Sequence, residues 1–533
     1  MKKCLAVLSA LLVMAMLAGV ALAGVAPATG DALASYAMDP AKKYTFSITG
    51  WTAGPVDNEN APVLDWVEEN TGVRVVFDNI DGQQYNDLIN MRLASGDAPD
   101  VFSLSPHATM TKFNKQGILR TFGEDIMAAL APDFYRVFMG DAPKAFDIVR
   151  DAVDPNQLLA IPQYKFHAQF VFPNVWNKQW LTKVGIDKAP DNLQEFEAAV
   201  YKFAKDDPDG NGQNDTYGLS ASGINAVYGA YGYLPWQWAE MEDGTLGFGA
   251  VQPAMKDALA KLAQWYKDGV IDPDFVKGGP AENTGGRGDL TQAFFTDKIG
   301  MSMHGDYWTW CEEIPQGPNY QEYIKTHDDP ANQLAITPPI LANDGVSRNN
   351  NRANLTQNTF WCFNADMPDD VFAAVMKVFD WDYLSMDNYR IIWYGIEGEH
   401  WAFDENGLSQ PIGDYALDKG LQNKVGAYTT LGAIIEPFEY QAGVRGNLAK
   451  WAKELNLNDP AFEKYGLNDK LLVTPPSYNT YWMDLDKIQK DAYIDIITGV
   501  QPVDYFDTFV ANWMAAGGET ITKEASEWYA TVK

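Results

Sequence analysis

The sequence predicts an α/β protein of two lobes, each a mostly parallel sheet flanked by helices, with a helix-rich C-terminal part. Three observations lead to this fold class. Short β-branched runs alternate with apolar helical stripes from residue 44 to residue 104. The same alternation restarts after residue 162, and helical patterns dominate beyond residue 369. A chain of 533 residues is long enough for two or three domains.

The first lobe is predicted to run strand, helix, strand, helix, strand. In chain order these elements are expected at 44–50, 61–72, 73–77, 83–96 and 100–104. Ligands of parallel sheets bind beyond the carboxyl ends of the strands. Trp51, Ser103 and Ser105 stand at two of these ends, so they are candidate ligand-binding residues.

The second lobe repeats the alternation with longer helices. An extended segment is predicted at 170–176, helices at 192–207 and 254–269, and a strand at 298–303. The prolines of "LAITPPILANDG" (334–345) indicate a stiff crossover. We expect the lobes to divide the chain as follows: lobe 1 comprises 44–162 and 335–390, and lobe 2 comprises 163–334 and 391–533.

The N-terminal 23 residues have the pattern of a secretory signal peptide. A short basic start precedes an apolar run from Leu5 to Val20, and "ALA" (21–23) offers small residues for cleavage. The alternative of an uncleaved anchor is disfavoured, because the run is shorter than the ~20 residues that cross a bilayer. A lipid anchor would need a cysteine just after the run, and Cys4 comes too early. We therefore expect export to the periplasm or the outer face of the cytoplasmic membrane, with a mature chain starting near Gly24.

Charge and cysteine content exclude some classes of partner. The chain has 71 acidic and 40 basic residues and a formal net charge of -31, which repels nucleic acid and anionic lipid. Cys311 and Cys362 remain after removal of the signal peptide. A disulfide between them is possible in an oxidising compartment, and two separate buried thiols are the alternative that we favour.

The segment "DDPDGNGQNDTYG" (206–218) resembles the first part of a calcium-binding loop. Gly212 stands where such a loop makes its sharp turn, but Gly218 occupies the place of the usual bidentate glutamate. An Asx-rich turn without metal is the alternative. The oxygen ligands that we expect for a structural Ca²⁺ ion are Asp207, Asp209, Asn211, the carbonyl of Gln213, and Asp215.

Tryptophan is unusually abundant, and several of the 17 tryptophans cluster beside glycine or polar residues. Burial in a core is the alternative for any one of them, although tryptophan is rarely buried completely. Flat indole faces next to carboxylates suit sugar rings, which stack on the indole and offer hydroxyls to the polar groups. The candidate ligand-binding residues of this kind are Trp236, Trp238, Asp306, Trp308, Trp310 and Trp361, with Trp308 the strongest.

Several segments together resemble the bacterial extracellular solute-binding proteins of the sugar-binding type, which are receptors of ABC importers. The branch that contains lipoprotein LplA and the alginate-oligosaccharide-binding proteins is the most similar. The segments are "RLASGDAPDVF" (92–102), "NVWNKQWLTKVGI" (174–186), "FAKDDPDGNGQNDTYGL" (203–219), "FFTDKIGM" (294–301), "PPILANDG" (338–345), "YGIEGEHWAFDENG" (394–407) and "IITGVQPVDYFDTFVANWMAAGG" (496–518).

The resemblance implies a periplasmic-binding-protein fold whose two lobes close on a ligand by a hinge motion. It implies delivery of the ligand to a membrane permease, with no chemistry done on it. It also implies a structural calcium ion at the loop that includes Asp207 and Asp215. The sequence departs from the family pattern at Thr216, where a glutamate often follows the last aspartate.

Other functions receive less support from the sequence. Common zinc-protease, nucleophile-elbow and phosphate-loop motifs are absent from it. "EGEH" (397–400) is compatible with a glycosidase pair, but acidic residues are abundant and chance pairs are expected. A receptor for a peptide or another small solute on the same fold stays open. We expect a monomeric receptor that is not an enzyme, and because the chain is acidic we expect a neutral oligosaccharide as its ligand.

Overall fold

The computed structural model describes residues 24–532 except 51, 81, 83, 152, 165–171, 279–288, 306, 313–316, 328–333, 339, 342–358 and 455–468. The chain forms two compact units. Unit 1 comprises residues 1–165 and 355–444, and unit 2 comprises residues 166–354 and 445–533. Within the described ranges, no helix is both long enough and apolar enough to cross a lipid bilayer.

Fourteen strands are present in the described residues. They are β1 (Tyr44–Thr49), β2 (Val73–Phe77), β3 (Val101–Leu104), β4 (Phe122–Gly123), β5 (Gln157–Leu158), β6 (Ile161–Pro162), β7 (Asn174–Asn177), β8 (Trp238–Glu240), β9 (Leu246–Phe248), β10 (Met301–Ser302), β11 (Leu334–Thr337), β12 (Phe360–Phe363), β13 (Trp401–Phe403) and β14 (Ser409–Pro411).

The α-helices of unit 1 are Pro62–Thr71, Tyr85–Ser95, His107–Lys115, Glu124–Leu130, Pro132–Asp141, Asp369–Leu384, Met386–Tyr394, Lys419–Lys424 and Phe438–Val444. Those of unit 2 are Lys178–Lys183, Leu193–Lys205, Ala221–Ala230, Ala254–Lys267, Asp289–Phe295, Pro318–Tyr323, Gly446–Glu454, Tyr478–Thr498, Tyr505–Trp513 and Glu519–Val532.

Unit 1 is organised around a five-stranded mixed sheet of order β2-β1-β3-β12-β6. The pairs β1/β2 and β1/β3 are parallel, as the alternating pattern predicts. Strand β12 pairs antiparallel with both β3 and β6, so a strand from the second half of the chain lies between these two. The first helix, Pro62–Thr71, buries Val63, Leu64 and Val67 and ends at Gly72, whose left-handed φ of 73° suits glycine.

Unit 2 differs from the prediction of a mostly parallel sheet. Its main sheet has the order β10-β7-β11, and both pairs are antiparallel. Strand β7 precedes β10 and β11 by more than a hundred residues along the chain, and no local pattern in the three strands fixes the direction of pairing. Helices supply most of the core: Trp176 of β7 meets Phe196 edge-on at 5.3 Å, and Phe196 stacks on Trp265 at 6.1 Å.

The boundaries of the units differ from the predicted lobes in two places. Strand β11 pairs with β7 and therefore belongs to unit 2, although residues from 335 onward were expected in lobe 1. Residues 391–444 lie in unit 1, because Tyr383, Tyr389 and Tyr394 bond to backbone carbonyls within this stretch. Cys311 lies in unit 2 and Cys362 in unit 1; both are buried, and no disulfide joins them.

Candidate ligand-binding clusters and cation loop

The carboxyl ends of β1 and β3 in unit 1 are largely occupied by internal hydrogen bonds. The Tyr85 hydroxyl accepts from the Ser103 backbone N–H at 3.0 Å and lies 3.1 Å from the Ser103 hydroxyl. Only 6% of Ser103 is exposed, so this predicted ligand-binding residue lies in a saturated internal network. Ser105 is partly exposed just before the cis peptide bond to Pro106.

Trp361 lies in β12 beside Ser103, its partner in the strand register. Its indole is buried, and the indole N–H has no hydrogen-bond partner among the described residues. The ring packs against Gly50 at the end of β1, where a Cβ atom would come within 2.6 Å of the indole. The same Cβ would come within 2.4 Å of Thr430, so Trp361 and Thr430 meet at Gly50.

The segment 428–436 lies against these strand ends, and the sequence analysis missed it. The Glu436 backbone N–H donates to the Tyr164 carbonyl at 2.9 Å, and the Gln163 side chain donates to the Ala433 carbonyl. Within the described residues, the buried hydroxyls of Thr429 and Thr430 have no hydrogen-bond partner. We call Trp361, Thr429 and Thr430 the unit 1 polar cluster, because each carries a buried polar atom of this kind.

Tyr428, which precedes this cluster, has a left-handed backbone with φ of 51°. A bulky residue rarely adopts that conformation without support from its surroundings. Here the support comes from Asn423, whose amide donates to the Tyr428 carbonyl at 2.6 Å, and from the Ile392 carbonyl, which accepts the Tyr428 N–H at 2.9 Å. The partly exposed ring meets Trp393 edge-on at 5.1 Å.

In each of two Trp-x-Trp segments in unit 2, the first tryptophan is partly exposed and the second is buried. In the first, Trp236 keeps part of its surface exposed, while Trp238 is 4% exposed and packs on Phe248 at 5.2 Å. The predicted ligand-binding residue Trp238 therefore lies in the core of unit 2. Gln237 between them is buried, and its side-chain oxygen has no hydrogen-bond partner among the residues that the structure describes.

The second segment follows β10 and forms the turn Tyr307–Trp310. Trp310 is fully buried and donates its indole N–H to the His304 carbonyl at 2.8 Å. Trp308 is partly exposed and packs against a small core of Tyr307, Cys311 and Trp451. We call Trp236 and Trp308 the unit 2 aromatic pair. The two other candidates, Trp51 and Asp306, lie outside the described residues.

The predicted cation loop is compact and largely exposed. The Asp207 carboxylate accepts the backbone N–H groups of Asn211 at 3.1 Å and Gly212 at 3.0 Å. The Asn211 side-chain amide lies 2.7 Å from the Asp209 carboxylate and 3.2 Å from the Asp215 carboxylate. The Asn211 amide nitrogen therefore lies between the carboxylates of Asp209 and Asp215.

The oxygen atoms of the loop side chains are of the type that a hard cation prefers, but the Asn211 amide nitrogen lies between two of the carboxylates. Among the described residues, no set of three His, Cys, Asp or Glu side chains converges closely enough to hold a metal ion. The Asn211 amide takes up the space between Asp209 and Asp215, and rotation of this amide would present its oxygen instead. Asp207 has φ of 48° and Gly212 has φ of 76°, so the backbone already makes the turn that such a loop requires.

The carboxylates of Asp207 and Asp209 influence each other. Desolvation raises the pKa of Asp209, and the neighbouring Asp207 carboxylate adds to this effect. Desolvation acts the same way on Asp207, but hydrogen bonds from Asp209 and from the N–H groups of Gly212 and Asn211 leave its pKa lowered. The Asp207 carboxylate thus disfavours the ionised form of Asp209, an effect that a bound cation would relieve.

The "EGEH" segment does not form a glycosidase site in unit 1. Glu397 and Glu399 are exposed on a turn. His400 is buried, and its Nδ1 accepts the Ile396 backbone N–H at 2.9 Å, while burial lowers the pKa of the ring. The histidine therefore holds the turn together.

Comparison with known proteins identifies the family. The sequence profile of the bacterial extracellular solute-binding proteins matches residues 50–358, which is more than half of the chain. The chain belongs to this family. Extracellular solute-binding proteins are exported and bind solutes without transforming them, and the resemblance found in the sequence is thereby confirmed.

Three proteins show what this solute-binding protein is similar to. The polygalacturonan/rhamnogalacturonan-binding protein YtcQ of Bacillus subtilis is 24% identical over 378 residues, 67% of this chain and 68% of YtcQ. The alginate-binding protein AlgQ2, in a crystal structure without calcium ion, matches with a TM-score of 0.63 and 17% identity, covering 92% of this chain and 98% of AlgQ2.

A solute-binding protein from Bifidobacterium longum infantis, associated with an ABC transporter and described as binding HMO, also gives a TM-score of 0.63, at 15% identity. The match covers 91% of this chain and 98% of that protein. At such identities the two structures establish the fold alone. The predicted solute-binding fold is therefore confirmed.

Proposed function

We propose that this solute-binding protein is a monomeric receptor for an oligosaccharide and delivers it to the membrane permease of an ABC importer. The observation that carries the proposal is the presence of two kinds of groups, one kind in each unit. Unit 1 holds buried hydroxyls and an indole N–H that have no partner among the described residues, and unit 2 holds two partly exposed indoles. Buried polar groups require a partner, and a sugar supplies both hydroxyls and a flat C–H face.

The roles of the two clusters differ in this proposal. The unit 2 aromatic pair stacks on sugar rings, because an indole offers a large apolar face that is held rigidly. The unit 1 polar cluster bonds to sugar hydroxyls and so discriminates between sugars. Removing a ligand hydroxyl would leave a buried partner unpaired, which is costly.

We further propose that the oligosaccharide is neutral. YtcQ is described as a polygalacturonan/rhamnogalacturonan-binding protein, and AlgQ2 as an alginate-binding protein, so acidic sugars are the alternative. The net charge of this chain is -31, which repels a polyanion at long range. The polar cluster consists of two hydroxyls and an indole N–H, and none of these groups carries a charge.

The proposed function is tested with a sugar panel. Neutral oligosaccharides, uronate oligomers and short peptides are each added to the full-length mature protein, and its melting temperature and dissociation constants are measured. We expect a shift with a neutral oligosaccharide and none with peptides. Binding of peptides alone would contradict the proposal. Tight uronate binding that weakens steeply with salt would contradict the neutral ligand and leave the sugar receptor standing.

We also propose a structural calcium ion in the loop of unit 2. Asp207, Asp209, Asn211 and Asp215 supply oxygen atoms from one short, exposed segment that has little apolar surface to bury. A bound Ca²⁺ ion would neutralise the mutual repulsion of the carboxylates and fix the turn after the helix Leu193–Lys205. The ion would stabilise unit 2 and take no part in sugar binding.

A further inference from the structure

The residues that follow the predicted signal-peptide cleavage site, from Gly24 to Ala28, are bonded to unit 1. The Val25 backbone N–H donates to the Tyr135 hydroxyl at 3.0 Å. The Ala28 N–H donates to the Asp125 carbonyl at 3.0 Å, and Ala28 is 9% exposed. Gly24 lies so close to Tyr135 that a Cβ atom on it would come within 2.7 Å of the hydroxyl.

The Tyr135 hydroxyl is the centre of a small charged network in unit 1. It donates to the Glu124 carboxylate at 2.7 Å, and Glu124 is only 5% exposed. The other Glu124 oxygen accepts from the Arg150 guanidinium at 2.8 Å. Arg150 also pairs with Asp147 at 3.3 Å.

The charges of this network do not balance. Glu124 and Asp147 carry two negative charges, and Arg150 carries one positive charge. Asp125, on the same helix as Glu124, adds another exposed carboxylate. Glu124 is already paired with Arg150, so the excess negative charge lies on the exposed carboxylates of Asp147 and Asp125, and an ammonium group beside Tyr135 would offset part of it.

We propose that cleavage between Ala23 and Gly24 creates this positive charge, and that the new α-ammonium group of Gly24 binds at the Glu124–Tyr135 pair. In the exporting cell a signal peptidase adds water across the amide bond. Ala23 leaves as a carboxylate on the signal peptide, and the nitrogen of Gly24 remains on the mature chain as an ammonium group. Processing thereby completes a binding site for the mature N-terminus on unit 1.

The proposal is tested first by the intact mass of the protein exported from cells, which we expect to match a chain that starts at Gly24. A mass that corresponds to any other start would overturn it. A second test compares the full mature protein with the same protein carrying a two-residue extension before Gly24. The chain that starts at Gly24 should melt about 2 °C or more higher at pH 7, and equal melting temperatures would overturn the proposal.

Two variants assign this difference to the network. Glu124→Gln and Tyr135→Phe should each abolish the difference between the two N-termini. Tyr201→Phe is the matched control, because Tyr201 also donates to a carboxylate, that of Asp268 at 2.6 Å in unit 2. It should lower the melting temperature of both forms and preserve the difference. A difference that persists in Glu124→Gln and Tyr135→Phe would contradict the assignment.

The pH dependence gives a further readout that does not depend on these variants. A nearby carboxylate raises the pKa of an α-ammonium group, so the added stability is fully present below the unfolded value of about 7.7–8.0 and is lost as the pH rises above it. The charged or titratable groups of this network are Tyr135, Glu124, Arg150 and Asp147, with Asp125 exposed on the same helix as Glu124, and burial raises the pKa of Tyr135 to about 12. A difference that is constant from pH 6 to pH 10 would contradict a bound ammonium group.

Discussion

The unit 1 polar cluster and the unit 2 aromatic pair present opposite chemistry. In unit 1, Thr429, Thr430 and the Trp361 indole N–H are buried polar groups gathered by strand ends and a bonded loop. In unit 2, Trp236 and Trp308 each present part of an indole next to a second tryptophan that is buried. The difference suggests a division of labour, in which apolar stacking supplies affinity and hydroxyl recognition supplies selectivity.

The largest expected effect is a loss of ligand affinity on substitution in the unit 2 aromatic pair. Trp308→Ala should weaken binding of the oligosaccharide by a factor on the order of ten or more, since a stacking face is lost and each tenfold is about 1.4 kcal/mol. Isothermal titration calorimetry measures the dissociation constant. Trp265→Phe is the control: this indole is fully buried and bonds to Glu197, so the variant should lose stability and keep its affinity. If Trp308→Ala and Trp236→Ala both bind normally, the aromatic pair is not part of the site.

The next effect concerns the cation loop, which only unit 2 carries in this proposal. Removing calcium with EDTA should lower the melting temperature of unit 2 by several degrees. A ligand at a hundred times its dissociation constant adds about 2.7 kcal/mol to the free energy of unfolding, and this stabilisation is lost with the ion. Calcium should restore it, and Asp207→Asn should lose the response. Hydrogen exchange followed by mass spectrometry separates the two units. Equal protection of unit 2 with and without calcium, together with no metal by elemental analysis, would contradict the proposal.

On the polar side, Thr430→Val should have opposite effects on stability and affinity. The Thr430 hydroxyl has no partner among the described residues, so its loss should leave the free protein as stable or more stable. Affinity should fall about fivefold, the value of one hydrogen bond. Thr71→Val is the matched control, because its buried hydroxyl donates to the Val67 carbonyl at 2.6 Å. This control should lose stability and keep affinity; unchanged affinity in Thr430→Val would remove that residue from the site.

The smallest effect contrasts one histidine of each unit. Burial lowers the pKa of His107 in unit 1 to about 4. The free energy of unfolding of unit 1 should therefore fall as the pH drops below about 6.5, by at most about 1.4 kcal/mol for each step of one in pH. The hydrogen bond to Asp297, 3.0 Å away, raises the pKa of His327 in unit 2. Its contribution is present below about pH 6.5 and is lost as the pH rises through the raised value.

Acidification from pH 7.5 to 5.5 should therefore weaken unit 1 and slightly strengthen unit 2. The ring of His327 stacks on Tyr323 at 4.0 Å, which also favours its charged form. Hydrogen exchange of each unit measures the effect, and His107→Gln and His327→Gln should remove it separately. The same direction of change in both units would show that other groups dominate.

The elements were easier to predict than the clusters they carry. The alternation from Tyr44 to Leu104 specified three strands and two helices, because each buries one face at a regular period. The direction of β11 was not predictable, since it depends on pairing with β7 at a distance along the chain.

The candidate site was predictable only in part for the same reason. Sequence pointed to both Trp-x-Trp segments, but the burial of Trp238 and Trp310 depends on contacts with Phe248 and Phe294 that no local pattern reveals. No motif or periodic pattern in the sequence marks Thr429 and Thr430 as candidate site residues. Thr430 becomes notable only because it meets Trp361 of β12 at Gly50, and Thr429 because its hydroxyl is buried without a partner among the described residues.

The unpaired hydroxyls of the unit 1 polar cluster bear on how such a receptor diverges. Ser103 and Thr71 stabilise the fold through their hydrogen bonds. A substitution at either residue would therefore be eliminated by selection for stability before it could change ligand selectivity. Thr429 and Thr430 contribute no such bond among the described residues. Under the proposed function, substitutions at these two positions would change the ligand selectivity while the chain stays folded, so a duplicated gene would diverge in specificity at these positions first.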